Sequence, residues 1–160
     1  MDSDYLRIRP DLKTLRDPYG GMEYVVVPPI IPDWAIISAT KGDRNGGITT
    51  LSGRSDRVLA MAARKTIAVV EELVEPDQVL PGLHEVYCAP VHIDAVVLAP
   101  GGAHPTDCPG RYAIDAAHMA AYVAAAKDES SFQAYLETYI LEPRDHAAYL
   151  AKVGFKTHGK

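Results

Sequence analysis

The sequence has few cysteines, no long apolar run and no basic cluster, and each shortage excludes a class of protein. Two cysteines, Cys88 and Cys108, are too few for the disulfide framework of a small secreted domain. No apolar run approaches the roughly 20 residues that a membrane-spanning helix needs. Lysine and arginine are dispersed and the formal net charge is -5, so nucleic acid is not expected as a partner.

What remains is the composition of a globular domain. The chain has 160 residues, of which 48% are hydrophobic, and this is enough for one domain with a real core. The first stretch, MDSDYLRIRP, carries acidic residues and lacks the apolar segment of a secretory signal. These features predict a soluble, cytoplasmic domain of the α/β type and leave its chemistry open.

Short apolar runs predict the strands of a parallel sheet. WAIISAT (34–40) and TIAVVEELV (66–74) are apolar without alternation, the pattern of strands that are buried on both faces. The stretch EVYCAPVHIDAVVLAP (85–100) contains a third strand and, beyond Pro90, room for a fourth. Upstream, YVVVPPI (24–30) is rich in β-forming residues, but its two prolines confine it to a sheet edge or a strand end.

Helical patterns follow the first of these strands and close the chain. Asp56 is predicted to cap RVLAMAARK, and residues 115–126 are alanine-rich and helical. Ser130 or Ser131 can cap FQAYLETYILE, and Pro143 suits the first turn of a last helix closed by Gly154. In FQAYLETYILE the apolar residues share one helix face, namely Phe132, Tyr135, Leu136, Tyr139 and Ile140.

The expected fold is therefore α/β, with an open, largely parallel sheet, flanking helices and a helical C-terminal cap. Residues 1–23 are polar and contain the turn signal DPYGG, so we expect an N-terminal arm there. Residues 24–154 are expected to form a single α/β domain, and residues 155–160 a frayed tail. Three or four strands are few for such a sheet, which could require strands from another chain.

The cysteines and histidines do not form a metal site by their spacing. His104 and Cys108 give the pattern HxxxC, whereas zinc takes three or four ligands, and the sequence contains no second close pair. His84, Cys88 and His92 fall on one strand face, but Cys88 is also explained as a small buried residue. We therefore predict no metal.

Two other candidates for chemistry are weak. Cys108 has no positive neighbour except Arg111, so an activated thiolate is not expected, and replacing Cys108 by Ser should matter little for activity. Glu71 and Glu72 follow the second predicted strand, at the end where open α/β sheets place their ligands. The same pair suits a solvated strand end, which composition alone favours.

Four stretches in a fixed order carry a resemblance to a known family and cover roughly residues 5–150. They are DPYGGMEYVVVPPIIPDWAIISATKGDRNGG, MAARKTIAVVEELVEP, HIDAVVLAPGGAHPTDC and RYAIDAAHMAAYV. Together they resemble the C-terminal half of the α (A) subunit of family I coenzyme A transferases, of the glutaconate CoA-transferase type. APGGAHPT after a strand that ends in DAVV is the most specific of these pieces.

The resemblance implies a CoA-transferase component that works only with partner chains. In this family the nucleophilic glutamate, which forms a glutamyl-CoA thioester, lies on a β-type subunit in a short motif that this sequence lacks. No catalytic residue is therefore assigned here, and coenzyme A is expected as a substrate rather than as a cofactor. The α-type subunits of the family are nearly twice as long, so a separate N-terminal α half is a second candidate partner, beside acyl-CoA and the β-type subunit.

The loop APGGAHPT is expected to shape an acyl-CoA pocket. Gly101 and Gly102 permit close backbone approach, so Gly101→Val should disrupt folding or assembly. His104 and Thr106 could donate to a carboxylate or to CoA, or could pin the loop through its own backbone. Two alternatives stay open at this point. One is a hydrolase of the same fold that opens cyclic acyl-CoA during ring degradation, and the other is a non-catalytic assembly module.

Overall fold

The computed structural model describes residues 4–156, which fall into two compact units that divide between Ile31 and Pro32. The first unit contains a short helix α1 (Tyr5–Ile8) and an antiparallel hairpin of β1 (Lys13–Arg16) and β2 (Glu23–Val26). This unit is polar, but it contains regular structure.

The turn of this hairpin is the DPYGG segment. The backbone N–H of Asp17 donates to the carbonyl of Met22, and Gly21 has a φ of 68°, a left-handed conformation that favours glycine. The Asp17 carboxylate accepts hydrogen bonds from the N–H groups of Tyr19 and Gly20. The predicted turn is present, and it joins two strands.

The second unit contains the remaining strands and helices. Its strands are β3 (Trp34–Ala39), β4 (Lys41–Gly42), β5 (Ile48–Leu51), β6 (Lys65–Val70), β7 (Glu85–Cys88) and β8 (Ala95–Leu98). Its α-helices are α2 (Asp56–Ala62), α3 (Ala116–Ala125), α4 (Glu129–Leu136) and α5 (His146–Lys152). A π-helical segment, Glu137–Leu141, continues α4, and single 3-10 turns lie at Pro76–Gln78 and Pro90–His92.

The parallel sheet has the order β3-β6-β8 and confirms the predicted α/β class. Along this sheet Ile37 pairs with Ala68, which in turn pairs with Val96. A second, antiparallel sheet has the order β4-β5-β7. Strand β5 was not predicted, because GGITTLSG is short, lies between glycines and has two threonines at its centre.

The core lies between the two sheets and helix α2. Its buried members are Ile37, Ala39, Ile48, Ala60, Ala68, Val70 and Cys88. Only one face of β3 contributes to it, since Ile37 is 3% exposed whereas its neighbour Ile36 is 70% exposed. The prediction that this strand is buried on both faces is wrong. The apolar run specifies two apolar faces, but the elements that pack on β3 within this core reach one of them.

Helices α3, α4 and α5 form the helical cap, and each of them begins with an aspartate. Asp115, Asp128 and Asp145 accept hydrogen bonds from the backbone N–H groups three residues later. The predicted caps at Ser130 or Ser131 and the helix start at Pro143 are therefore wrong. So is the cap at Asp56, since Ser55 holds that position.

The segment that follows helix α5 packs against the domain. Gly154 has a φ of 66° and ends α5, as predicted, and the N–H of Phe155 donates to the carbonyl of Leu150. Phe155 packs edge-on against Tyr112 with ring centroids 5.0 Å apart, so the predicted tail begins with a packed residue. The rest of that prediction, residues 157–160, lies outside the described part of the chain. Within residues 4–156 the structure contains no helix of the length and apolarity that crossing a membrane requires.

Candidate functional site

A cleft of about 730 Å³ opens beyond the carboxyl ends of β3 and β6. Residues after β3 and β6, the loop after β8 and the end of the chain form its walls, a position typical of ligand sites in open α/β sheets. The lining residues are Lys41, Glu71, Glu72, Val74, Gln78, Pro100, Gly101, Gly110, Arg111, Tyr112 and Phe155. The cleft therefore carries two cationic and two anionic side chains.

Glu71 fastens the loop after β8 to the end of β6. The carboxylate is buried, with one oxygen accepting from the backbone N–H of Gly101 at 2.7 Å and the other from the Tyr112 hydroxyl at 2.5 Å. Burial and this hydrogen bond raise the pKa of Tyr112, so its hydroxyl stays protonated as a donor. Both carboxylate oxygens are thus committed to the protein, which suits an anchor rather than a nucleophile.

Arg111 forms the cationic wall of the cleft. Its guanidinium donates to Glu72 at 2.8 Å and to the carbonyl of Thr40 at 3.3 Å, and the Arg111 side chain is 29% exposed. Lys41 lines the same cleft. A guanidinium can bind a carboxylate or a phosphate through two parallel hydrogen bonds, so an anionic ligand that enters here can compete with Glu72 for Arg111.

The backbone of the glycine-rich loop is committed to its own shape. The N–H of Gly102 donates to Ala99, that of His104 to Gly101, and that of Thr106 to Ala103, each to a carbonyl oxygen. The Thr106 hydroxyl also donates to the Ala103 carbonyl, at 2.6 Å. The loop thus braces the cleft through internal contacts.

The two glycines of the loop allow this close packing. Gly101 lines the cleft with a φ of 76°, and a Cβ atom there would lie 2.7 Å from Cε1 of Phe155. A Cβ on Gly102 would lie 2.8 Å from the carbonyl oxygen of Ala99. Neither position has room for a side chain without a shift of its neighbours.

His104 is directed into the helical cap and does not line the cleft. Its side chain is 4% exposed, its Nδ1 lies 2.7 Å from the Tyr149 hydroxyl, and its Nε2 lies 3.2 Å from Oδ2 of Asp115. His118 lies beside it, with Nε2 2.7 Å from the Tyr135 hydroxyl. Of the predicted loop residues, the structure places Gly101 at the cleft, whereas His104 and Thr106 hold the loop.

The three side chains His104, Asp115 and His118 form the one group within residues 4–156 that is close enough to share a metal ion. Neither cysteine belongs to it. Cys88 lies in the core, and Cys108 is buried, with burial and then the charge of Glu71 raising the pKa of its thiol to about 11. Such a thiol is protonated at neutral pH and is a poor nucleophile.

Most residues that line the cleft were not predicted from the sequence. The sequence marks Arg111 only as a neighbour of Cys108, and Phe155 falls in the predicted tail. Tyr112 was not singled out at all. The sequence signal that could have found Tyr112 is weak: it lies at the start of the fourth of the quoted stretches, soon after the glycine-rich loop.

Comparisons with known proteins give a consistent set of relatives. The family model described as Coenzyme A transferase matches residues 9–99. The chain is 32% identical over 152 residues to the glutaconate CoA-transferase A subunit of Acidaminococcus fermentans, covering 89% of this chain and 45% of that protein. It is 30% identical over 152 residues to the 3-oxoadipate CoA-transferase A subunit of Pseudomonas knackmussii, covering 94% and 53%.

A third relative differs in its named reaction. The chain is 28% identical over 155 residues to the cholesterol ring-cleaving hydrolase IpdA subunit of Rhodococcus jostii, covering 91% of this chain and 52% of that protein. The crystal structure of the glutaconate enzyme superposes with a TM-score of 0.77 at 30% identity, over 90% of this chain and 46% of that one. The chain thus spans about half the length of these relatives.

Proposed function

The chain belongs to the coenzyme A transferase family, and on that premise we propose that it forms part of an α-type subunit of a CoA-transferase. The proposed reaction moves CoA between an acyl-CoA and a carboxylic acid, with coenzyme A as a substrate. The similarity to two transferase α-type subunits, over about nine-tenths of the chain, carries this proposal.

The cleft supports this function through shape and charge. Both the acid substrate and the phosphates of CoA are anionic, and Arg111 and Lys41 are the cations that line the cleft. The loop after β8 forms one wall of the cleft, and hydrogen bonds that link Gly101, Glu71 and Tyr112 hold it in place. We assign the binding of an anionic group to Arg111 and a positioning role to Glu71.

The nucleophile belongs, in this proposal, to a β-type partner subunit. A carboxylate attacks an acyl-CoA only when it is held against the thioester carbonyl with water excluded. Glu71 is poorly suited to that role, because it is buried and each of its oxygens already accepts a hydrogen bond from the protein. A hetero-oligomer in the cytoplasm, with a separate N-terminal α half as a further partner, is the assembly that we expect.

Activity of the reconstituted assembly tests the proposal. The chain is combined with an N-terminal α half and a β-type subunit, and CoA exchange between an acyl-CoA and a free acid is measured. We expect exchange, with Arg111→Gln raising the KM for a substrate at least about 10-fold, the effect of losing a charge-assisted contact. Arg144→Gln is the matched control, since Arg144 lies just before helix α5, outside the residues that line the cleft, and is 88% exposed. An intact assembly without exchange would refute the transferase proposal.

A ring-opening hydrolase is the second candidate, because the IpdA subunit is also a relative. The two reactions differ in the covalent intermediate. Incubation of the assembly with acyl-CoA and then with borohydride or hydroxylamine traps a glutamyl-CoA thioester in a transferase. Product formation with no trapped adduct would favour the hydrolase. An assembly that forms but binds no CoA would favour the non-catalytic module.

A further inference from the structure

We propose that His104, Asp115 and His118 form a binding site for one divalent transition-metal ion of the zinc type. His104 lies in the loop after β8, Asp115 caps helix α3, and His118 lies in the first turn of that helix. One ligand atom from each residue lies within 4.8 Å of the other two. The site is separate from the cleft and involves none of the residues proposed above to bind substrate.

Each imidazole is oriented by a tyrosine. His104 Nδ1 lies 2.7 Å from the Tyr149 hydroxyl, and His118 Nε2 lies 2.7 Å from the Tyr135 hydroxyl. In metal sites a ligating histidine commonly donates its second ring N–H to an oxygen acceptor, which fixes the tautomer and the ring. When each tyrosine oxygen accepts in this way, Nε2 of His104 and Nδ1 of His118 are the nitrogens that would bind the ion.

The carboxylate is oriented by the helix that it caps. Oδ1 of Asp115 accepts the backbone N–H of His118 at 2.9 Å, and Oδ2 lies 3.2 Å from Nε2 of His104. The cap therefore positions Oδ2 beside a ring nitrogen that the ion would use. Three ligands thus come from a loop and a helix start whose geometry the fold already fixes.

The ligand set determines which class of ion fits. The group of three offers two imidazole nitrogens and one carboxylate oxygen. Neutral imidazoles and a carboxylate suit zinc or cobalt better than calcium or magnesium, which prefer oxygen ligands.

Ion binding requires a small contraction and one further ligand. Zinc–ligand bonds of about 2.0–2.1 Å place tetrahedral ligand atoms about 3.3 Å apart. The three ligand atoms here lie within 4.8 Å of one another, so they would move closer together around an ion. A depression of about 380 Å³ adjoins His104, and the Asp115 side chain is 34% exposed, so a water molecule can supply the fourth ligand. The bound ion would tie the loop that lines the cleft to helix α3.

Zinc titration of the full 160-residue chain, free of any affinity tag, tests the site. We expect one saturable zinc per chain by calorimetry, and Co²⁺ should give the absorption of a tetrahedral site. Asp115→Asn should weaken binding at least about 10-fold while keeping the helix cap, since asparagine also caps helices. Tyr135→Phe, which removes the partner of His118, should weaken it by about 10-fold.

His146→Asn is the matched control, because His146 lines the same depression but lies outside the group of three ligands. Its zinc affinity should equal that of the unaltered chain, and circular dichroism should show all variants folded. The proposal is overturned if the chain binds no zinc saturably, or if Asp115→Asn and Tyr135→Phe bind zinc as tightly as the unaltered chain. It is also overturned if His146→Asn loses zinc to the same extent.

Discussion

The loop between β8 and α3 is held at two places by different chemistry. The strand anchor consists of Glu71, Gly101 and Tyr112, and the cap anchor of His104, Asp115 and Tyr149. At the strand anchor a buried carboxylate accepts from a backbone N–H and a phenol. At the cap anchor an imidazole lies between a phenol and a carboxylate.

The two anchors differ in what can disturb them. The strand anchor depends on close backbone approach, because Gly101 leaves no room for a side chain. The cap anchor packs against His118, an imidazole whose pKa is lowered by burial. The cleft side of the loop should therefore be sensitive to steric change, and the cap side to pH and to metal ions.

The largest expected effect is that of a side chain at Gly101. Gly101→Val should lower the free energy of unfolding by about 2–5 kcal/mol, combining left-handed strain of about 1–2 kcal/mol with overpacking against Phe155 of about 1–3 kcal/mol. Urea denaturation of the purified chain measures the loss. The variant also tests the comparison, because it leaves the cap anchor unaltered.

Gly110→Ala and Gly101→Ala separate the two causes. Gly110 has a φ of 78°, close to that of Gly101, but a Cβ atom there meets nothing within 4 Å. Gly110→Ala should therefore cost only the strain, about 1–2 kcal/mol, and Gly101→Ala should cost more. Equal losses in the two alanine variants would show that the contact with Phe155 does not constrain the strand anchor.

The next largest loss of stability is expected from a change at Glu71, the carboxylate of the strand anchor. Glu71→Gln replaces one acceptor oxygen by an NH2 group, so either the Gly101 N–H or the hydroxyl hydrogen of Tyr112 loses its acceptor in a buried place, at a cost of about 1–3 kcal/mol. Glu72→Gln is the control, since Glu72 is 31% exposed and its ion pair with Arg111 should contribute less than about 1 kcal/mol. Urea midpoints compare the two, and a larger loss for Glu72→Gln would contradict the assignment of Glu71 as the anchor.

The sequence predicted the strands and the loop better than the anchors. WAIISAT and DAVVL are apolar runs whose pattern is local, and the loop after β8 is marked by adjacent glycines. The anchor contacts are not local, since Glu71 is 30 positions from Gly101 and His104 is 45 positions from Tyr149. No periodicity encodes such pairs, so only the fold brings them together.

The helix starts show a second limit of local reasoning. Serines at 130 and 131 are good caps by type, but Asp128 holds the position and accepts their N–H or hydroxyl groups. The cap aspartate Asp115 matters more, because it also contacts His104. A residue with both roles has no signature in sequence beyond its preference for a helix start.

The smallest effect concerns the cap anchor and its neighbour His118. The pKa of His118 lies below its ordinary value of 6.5, so the unfolded chain binds more protons than the folded one below that pH. The stability that His118 contributes is therefore complete above pH 6.5 and is lost as pH falls through its lowered pKa, with a slope of up to about 1.4 kcal/mol per pH unit. Urea midpoints at pH 7.5 and 5.5, in EDTA, measure this loss.

The control variant is His118→Gln. It should show a smaller loss of stability, because glutamine cannot take up the proton while its amide can still reach the Tyr135 hydroxyl. An unchanged loss in His118→Gln would place the pH sensitivity elsewhere and remove the contrast between the two anchors.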